Sequence, residues 1–131
     1  MNIALIAHDS KKILMQNFVI AYQGILGKHT LYATGTTGKV IEEVTTLKIH
    51  KNISGILGGE QQISYLMESN ELDLLIFLRD PNQPLMRFAD GITILQLADI
   101  HNVPVATNLS TAELLILDLD HGDFAFRELY S

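Results

Sequence analysis

Two kinds of hydrophobic pattern alternate along this chain. Segments with apolar residues at three- and four-residue steps, the spacing of one buried helical face, separate short runs rich in aliphatic residues. Strands that alternate with helices are typical of a mostly parallel sheet covered by helices, so the pattern predicts a single α/β domain over residues 1–131. The predicted strands are Asn2–Ala7, His29–Ala33, Leu47–Asn52, Leu72–Leu78 and Val103–Thr107.

The predicted helices lie between these strands. The clearest one follows the first strand, is expected to be continuous to Ile25, and has Asp9 as its expected N-cap. Ser110 and Glu113 have the spacing of a capping box for the last helix, and Thr107–Asn108 is expected to cap it from the strand end. The other helices are predicted near Gly38–Val44, Gln61–Ser69 and Gly91–Ile100, the last helix covers Ser110–Leu117, and Arg79–Gly91 is expected to be a long loop.

Composition narrows the possible functions. The chain is 47% hydrophobic, which suits a packed core, and its net charge of −6 opposes non-specific attraction to nucleic acid or to an anionic membrane. It has no cysteine, which excludes disulfides and thiolate chemistry, and its histidines lack metal-binding spacing. No run is long enough to cross a bilayer and no leader is recognisable, so a cytoplasmic protein without a metal is expected.

Residues suited to an anion follow the first two strands. His8 and Lys12 come after the first strand, and "TGTTGK", Thr34 to Lys39, comes after the second. Small residues and hydroxyls at the start of a helix can surround a phosphate, although a capped helix and an ordinary turn are the simpler interpretations. The run is not a Walker A loop, because Ala33 and Val40 occupy positions that need glycine and Ser or Thr. The run therefore argues against a nucleotide triphosphatase and leaves a small phosphorylated ligand open.

Carboxylates mark two further junctions. Glu60 stands at a helix start in "GGEQQ", and Asp80 follows the fourth strand beside Arg79. A helix dipole accounts for the first and an exposed ion pair for the second, if each is taken alone. A receiver domain is set aside because Thr107–Asn108 stand where it needs a lysine. Since ligands of open parallel sheets bind at the carboxyl ends of the strands, these groups together predict one converged site.

Five ordered motifs, "IALIAHDSKK", "LYATGTTGK", "SGILGGEQQI", "DLLIFLRDP" and "VPVATNLSTAE", closely resemble the methylglyoxal synthase family over essentially the whole chain. The resemblance implies a three-layer α/β/α sandwich with a central five-stranded, mostly parallel sheet. It also implies a cytoplasmic homohexameric lyase that converts dihydroxyacetone phosphate to methylglyoxal and inorganic phosphate without a cofactor, with phosphate as product or regulator. Neither a nucleic acid nor a membrane is implied as a partner.

The same motifs imply individual site residues. Glu60 falls on the family's catalytic aspartate, Asp80 on its strand-end aspartate and Asp90 on a loop aspartate, while Arg87 stands where the family has a histidine. A neighbouring subunit's arginine is matched only by the guess Arg127. The implied contacts to substrate and phosphate are His8, Lys12, Thr34, Gly35, Thr36, Thr37, Ser54 and Gly55.

Two departures from the family leave two hypotheses. Glu60 is one methylene longer than aspartate, and a carboxylate displaced by about 1 Å can lose on the order of a hundredfold in rate. Arg87 is always charged, so it can stabilise an anion but cannot pass a proton as histidine does. Without the family's two prolines beside it, that segment should be less rigid. The chain is therefore either an active lyase with Glu60 as base and Arg87 as electrostatic stabiliser, or a repurposed module that binds phosphate or a phosphorylated metabolite.

Overall fold

The computed structural model describes residues 1–51, 59–88 and 90–129. Within these ranges one five-stranded sheet has the order β3-β2-β1-β4-β5, and every pair of neighbouring strands is parallel. The sequence prediction of a five-stranded parallel sheet is confirmed. The strands are β1 (Asn2–Ala7), β2 (Thr30–Ala33), β3 (Ile49–His50), β4 (Leu74–Leu78) and β5 (Val105–Ala106).

Helices cover both faces of this sheet. In the described part of the chain they are α1 (Lys12–Ala21), α2 (Gln23–Leu26), α3 (Gly35–Val44), α4 (Gly59–Glu68), α5 (Ile94–Ile100) and α6 (Leu109–His121). Two 3₁₀ segments, Asp9–Lys11 and Asp123–Leu129, complete the order. None of these helices combines the length and the apolar character needed to cross a bilayer.

Successive side chains of β1 point to opposite faces of the sheet, and each face has its own hydrophobic core. Leu5 points to the face covered by α1, α3 and α6, where it joins Phe18 and Ile116, while Ile6 points to the face covered by α4 and α5. Phe18 and Phe77 are both fully buried, one in each core, and each contributes about 1.5–3 kcal/mol by leaving water. The result is the three-layer sandwich expected from the sequence.

Several boundaries differ from the sequence prediction. The ladder at β3 is confined to Leu31↔Ile49 and Tyr32↔His50, so Leu47 is not part of this strand and Asn52 lies outside the described residues. The predicted long first helix is interrupted at Tyr22, whose ψ of 21° leaves the helical range, and α2 follows it. β2 and β4 also begin later than predicted, and α3 begins three residues earlier, at Gly35.

Two predicted helix caps are wrong. Asp9 does not cap a helix, because its carboxylate pairs with Lys12 at 3.1 Å instead. The last helix is capped by Asn108, whose side chain accepts from the backbone N–H of Thr111 at 3.1 Å, and Ser110 already lies inside the helix. Asn108 is the N-cap because its extended backbone, with φ −148° and ψ 167°, places its side-chain oxygen over the first turn.

The strand order creates one crevice at the carboxyl edge of the sheet. From β1 the chain proceeds to β2 on one side, whereas from β4 it proceeds to β5 on the other side. Adjacent strands whose connections leave in opposite directions leave space between their loops, and ligands of such sheets bind there. The loops after β1 and β4 therefore carry the residues to examine.

Candidate active site

A cleft of about 480 Å³ lies at the carboxyl ends of β1, β2 and β4. It brings together six residues predicted from the sequence, and Ser10 and Gln83, which the sequence analysis missed, also line it. Ser10 could have been found from its place two residues after His8 at a strand end. The six predicted residues are His8, Lys12, Thr34, Thr36, Glu60 and Asp80.

A larger depression, of about 650 Å³, lies elsewhere on the molecule. Its lining includes Lys28, His29, Thr30, Lys48 and His50, so it lies at the amino-terminal end of β2 and beside the edge strand β3. By volume alone, this depression would be the candidate functional site. The smaller cleft is the better candidate because it lies at the carboxyl edge of the sheet and gathers the acid, base and anion-binding groups.

The start of α3 offers backbone donors to an anion. Thr34 precedes the helix with extended backbone, φ −62° and ψ 150°, and its side chain makes no capping hydrogen bond to the first turn. The N–H groups of Gly35, Thr36 and Thr37 precede the first intrahelical bond, which runs from Gly38 N to Thr34 O at 2.7 Å. Free N–H groups and the positive end of the helix dipole favour a phosphate at this position.

Thr37 has an internal role that its sequence position did not reveal. Its side chain is fully buried, and its Oγ1 accepts from the backbone N–H of Ala7 at 3.2 Å and from the Thr34 hydroxyl at 2.9 Å. β2 ends at Ala33, paired with Leu5, so no strand residue faces the Ala7 N–H on that side. The Thr37 hydroxyl takes the place of that missing residue and ties α3 to the end of β1.

Replacing Thr37 with valine is expected to lower the free energy of unfolding by about 1–3 kcal/mol, because the buried Ala7 N–H loses its acceptor. Urea unfolding measures the change. Thr37→Ser should recover most of the loss, and Thr36→Val, at an exposed position of the same turn, is the matched control. A Thr37→Val protein as stable as the parent would show that the hydroxyl does not hold β1.

Lys12 places a fixed positive charge in the cleft. Its Nζ donates to the carbonyl of Ala7 at 2.7 Å and pairs with Asp9 at 3.1 Å, while only 17% of its side chain is exposed. The Asp9 side chain is 98% exposed, so it neutralises Lys12 weakly. An ammonium has three N–H donors, and the third remains available to a ligand.

His8 is fixed against the loop after β4. Its Nδ1 accepts from the backbone N–H of Asp80 at 2.8 Å, and its ring meets Phe77 edge-on at 5.1 Å. Burial lowers the pKa of the imidazole, and the charges of Arg79 and Lys12 lower it further against the opposing effect of Asp80. This lowered pKa favours the neutral form of the ring.

Both carboxylate oxygens of Asp80 are already engaged. Oδ1 accepts from the backbone N–H of Asn82 at 2.9 Å, and Oδ2 accepts from the Ser10 hydroxyl at 2.8 Å. The backbone bond from Asn82, followed by the Ser10 bond, holds the pKa of this carboxyl below its usual value. Asp80 stays ionised and braces two loops of the cleft, which makes it poorly placed to receive a substrate proton.

Glu60 differs from Asp80 in each of these respects. It is the second residue of α4, its side chain is partly buried in the cleft lining, and its Oε2 is buried without a hydrogen-bond partner among the described residues. Burial raises the pKa of its carboxyl. A desolvated carboxylate with a free oxygen is a stronger base than a solvated one, so Glu60 is the group best suited to remove a proton.

The remaining predicted residues are not part of this lining. Arg87 is exposed and donates from Nη1 to the carbonyl of Gly91 at 3.1 Å, in a turn closed by a bridge to Thr93. Asp90 is also exposed and accepts from the backbone N–H of Ile92 at 3.1 Å. Gly35 starts α3 without lining the cleft, while the predicted contacts Ser54 and Gly55 lie outside the described residues.

Arg127 lies at the opposite edge of the sheet. Its Nε donates to Asp73 at 3.3 Å, Nη1 to the Asn102 carbonyl at 2.7 Å and Nη2 to the Leu72 carbonyl at 2.8 Å. Leu72 and Asp73 precede β4 and Asn102 precedes β5, whereas the cleft lies after β4. Arg127 therefore fastens the last 3₁₀ segment to the amino-terminal edge of its own chain, and its guessed role at a neighbouring subunit's phosphate stays a prediction. No group of three or more potential metal ligands occurs within the described ranges.

Comparison with known proteins agrees with this architecture. Residues 15–107 match the family model of the MGS-like domain. The chain is 57% identical to a methylglyoxal synthase of Caldicellulosiruptor saccharolyticus, covering 98% of this chain and 92% of that protein. It is 52% identical to a methylglyoxal synthase of Bacillus subtilis strain 168, covering 98% and 94%.

A solved structure gives the same result. The crystal structure of methylglyoxal synthase from Elizabethkingia anophelis NUHP1 superposes with a TM-score of 0.76 at 37% identity, covering 88% of this chain and 76% of that one. The sheet order, the cleft at its carboxyl edge and these matches lead to one conclusion. The chain belongs to the methylglyoxal synthase family.

Proposed function

We propose that this protein is a lyase that converts dihydroxyacetone phosphate to methylglyoxal and inorganic phosphate without a cofactor. The observation that carries the proposal is Glu60, a desolvated carboxylate in the same cleft as Lys12 and the start of α3, with one oxygen that has no hydrogen-bond partner in the described part of the chain. Relatives that are 57% and 52% identical are named methylglyoxal synthase, which does not favour the alternative of a repurposed binding module.

The phosphate end of the substrate would lie at the start of α3. Backbone N–H groups of the first turn and the hydroxyls of Thr34 and Thr36 would donate to its oxygens, and Lys12 would add a charge-assisted bond. This attraction has to be local because the protein as a whole carries a net charge of −6. By the resemblance, Ser54 and Gly55 are proposed as further contacts.

The chemistry begins with proton removal by Glu60 from the hydroxymethyl carbon next to the ketone. The electron pair of that C–H bond forms a carbon–carbon double bond and leaves negative charge on the carbonyl oxygen, which gives an enediolate. The enediolate electrons then expel phosphate by breaking its bond to carbon. The remaining enol becomes methylglyoxal by gaining a proton at its terminal carbon and losing its hydroxyl proton. The proton taken by Glu60 passes to the departing phosphate, so atoms and charge balance without an oxidant or reductant.

The held orientation of the phosphate decides this outcome. Triosephosphate isomerase forms the same kind of intermediate from the same substrate but keeps the carbon–oxygen bond to phosphate. Elimination needs that bond aligned with the π electrons of the enediolate, and a phosphate fixed at a helix start can be held in that alignment. Arg87 is proposed as a fixed cation near the reacting oxygen and Asp90 as a further acid of the same loop, although both lie outside the cleft lining.

The assembly is proposed to be a cytoplasmic homohexamer. Exposed apolar side chains on two helices of one face support association, since Ile13 on α1 is 74% exposed and Leu114 on α6 is 65% exposed. Inorganic phosphate is proposed as a product that also regulates the enzyme. Sedimentation of the purified protein tests the assembly, and a monomer at micromolar concentration would contradict it.

The proposal is tested by incubating the purified protein with dihydroxyacetone phosphate and measuring methylglyoxal and inorganic phosphate separately. Equal amounts of both products are expected, because one bond cleavage releases them together. A protein that binds inorganic phosphate yet releases neither product would contradict the proposed reaction.

The pH dependence of kcat/KM is expected to reflect Glu60. Only the ionised carboxylate can accept the proton, and burial raises the pKa of this group above the ordinary value of 4.5. Activity should therefore rise with pH through a midpoint above 4.5. Initial rates at low substrate concentration across the acidic range measure that midpoint, and a midpoint at the ordinary value would contradict a buried base.

A further inference from the structure

We propose that the depression of about 650 Å³ beside β3 is a second binding site, and that its ligand is a phosphate monoester with a carbon body. We call it the basic depression, because Lys28, His29, Lys48 and His50 all line it. It takes no part in the proposed reaction, so the proposal holds whether or not the protein is a lyase.

The basic depression and the catalytic cleft lie at opposite ends of β2. Thr30, the first residue of this strand, lines the depression, whereas Thr34, which follows the strand, lines the cleft. The 4 residues of β2, at about 3.3 Å each, separate the two sites by about 13 Å. The two linings share no residue in the described part of the chain, so a molecule in the depression is a second ligand.

Positive charge is concentrated in this depression although the protein carries a net charge of −6. Its described lining contains two lysines but no aspartate or glutamate. The exposed side chain of Lys48 has no ion pair or hydrogen bond with residues 1–51, 59–88 and 90–129. Lys28 pairs with Asp120 at 3.2 Å, but both side chains are well exposed, so this pair is weak and leaves Lys28 available to an anion.

Neutral donors complement the two lysines. The Gln23 side chain donates from Nε2 to Oγ1 of Thr46 at 3.1 Å, which fastens α2 to the segment before β3. The Thr46 hydroxyl accepts in this bond, so its own hydrogen remains available to a ligand. His29 and His50 each add a ring with at least one N–H. Ammonium, hydroxyl and ring N–H donors together suit the oxygens of a phosphate.

Backbone carbonyls near the depression are already engaged. The depression lies at the end of α2, where free carbonyls would repel an anion. Gly27, Lys28 and His29 each donate a backbone N–H to a carbonyl of this helix, at 2.9, 3.1 and 3.1 Å. The side chains, which are basic, therefore determine the charge of the depression.

The shape and lining of the depression favour a phosphate that carries a carbon body. Leu31 and Leu47 are only 2% and 9% exposed and form an apolar part of the lining. A volume of about 650 Å³ is typical of sites for whole small molecules, and inorganic phosphate would leave most of it unfilled. The planar fork of arginine, which commonly binds carboxylates, is absent from the described lining, whereas lysine binds phosphate as a point charge.

Methyl NMR with phenyl phosphate as the probe tests the proposal in the purified protein. The methyl groups of Leu31 and Leu47 report on the depression, and the methyl groups of Ile6 report on the cleft. Phenyl phosphate should shift the leucine signals to saturation. Inorganic phosphate and phenol should bind there at least about tenfold more weakly, because each lacks one half of the ligand. A probe that shifts Ile6 but not Leu47 would overturn the proposal.

Benzoate separates a phosphate site from general attraction of anions. It has the same ring as phenyl phosphate but carries one charge on a planar carboxylate, so it should shift Leu47 at least about threefold more weakly. Equal affinities for benzoate and phenyl phosphate would overturn the assignment to phosphate.

Replacement of Lys48 tests its role as a phosphate contact. Lys48→Gln should weaken phenyl phosphate about threefold to fivefold, and Lys48→Glu about tenfold or more, because the reversed charge also repels. Lys11→Gln is the control, since Lys11 lies outside this lining, and it should leave the affinity unchanged. Equal affinities of Lys48→Glu and the parent would contradict the proposal.

Gly24 allows a test that leaves every existing side chain in place. It lines the depression, and a Cβ added there would meet nothing within 4 Å, so a longer side chain is tolerated. Gly24→Glu should bind phenyl phosphate about threefold or more weakly than Gly24→Gln, which has the same size without the charge. If both variants bound the probe as the parent does, the ligand would not lie in this depression.

An acidic surface of a second copy of the chain is the other possible occupant. Sedimentation of Lys48→Glu distinguishes it, and we expect this variant to sediment as the parent does. Dissociation of the variant, together with no shift of Leu47 by phenyl phosphate in the parent, would make the depression an interface between copies and overturn the proposal.

Discussion

Glu60→Gln is expected to lower kcat with dihydroxyacetone phosphate by about a thousandfold, because glutamine fills the same space but cannot accept a proton. The structure supports so large an effect. Glu60 is a cleft residue whose buried Oε2 has no hydrogen-bond partner among residues 1–51, 59–88 and 90–129, whereas both carboxylate oxygens of Asp80 accept hydrogen bonds. Stopped-time assays of both products measure the loss. Affinity for inorganic phosphate should change little, since the groups at the start of α3 remain in place.

Two controls separate lost chemistry from lost folding. Glu68→Gln removes a carboxylate from the exposed end of the same helix and should leave kcat unchanged. Glu60→Gln itself should be at least as stable as the parent near neutral pH. The folded-state pKa of Glu60 is raised above its unfolded value, so the stability that this group contributes is present below the unfolded pKa and is lost as pH rises through the folded pKa. Turnover within tenfold of the parent would show that another group removes the proton.

The location of the site was predictable from sequence because it depends on patterns that tolerate small errors. Apolar runs place β1 and β4 in a parallel sheet, and ligands of such a sheet bind at the carboxyl ends of its strands. Polar residues that follow those strands therefore lie close together at that edge. Errors of two or three residues at the ends of β3 or α3 leave this inference unchanged.

The roles of individual side chains were less predictable because they depend on unpaired backbone groups. Thr37 and Thr36 look equivalent in "TGTTGK", yet Thr37 is buried and bonded to Ala7, whereas Thr36 lines the cleft. The difference arises because β2 ends too early to pair with Ala7. Asp80 and Glu60 likewise look equivalent in the sequence, as acids at a strand end and a helix start. In the structure, Ser10 and Asn82 donate hydrogen bonds to the carboxylate of Asp80.

The departures from the family also become clearer in the structure. The long Glu60 side chain lines the cleft that also contains His8, so the extra methylene does not remove the carboxylate from the site. Arg87 bonds to the Gly91 carbonyl outside the lining, which leaves His8 as the imidazole of the cleft within the described residues. The proposed roles therefore divide into a carboxylate base and a cationic phosphate site.

Lys12→Gln tests the last of these roles and is expected to raise KM for dihydroxyacetone phosphate about thirtyfold to a hundredfold. A charge-assisted hydrogen bond of about 2–3 kcal/mol would be lost, and each 1.4 kcal/mol is tenfold. The large effect reflects position, since Lys12 is 17% exposed and Asp9 neutralises it only weakly. kcat should also fall, because a loosely held phosphate is poorly aligned for elimination.

Lys11→Gln is the matched control for Lys12→Gln, because Lys11 is the neighbouring lysine and lies outside the cleft lining. It should change KM less than about threefold, as expected for a surface charge. Steady-state kinetics and calorimetric titration with inorganic phosphate measure the two variants in parallel, and thermal unfolding checks that loss of the bond to the Ala7 carbonyl leaves Lys12→Gln folded. Equal KM values for the two variants would show that net charge, and not a bond from Lys12, attracts the phosphate.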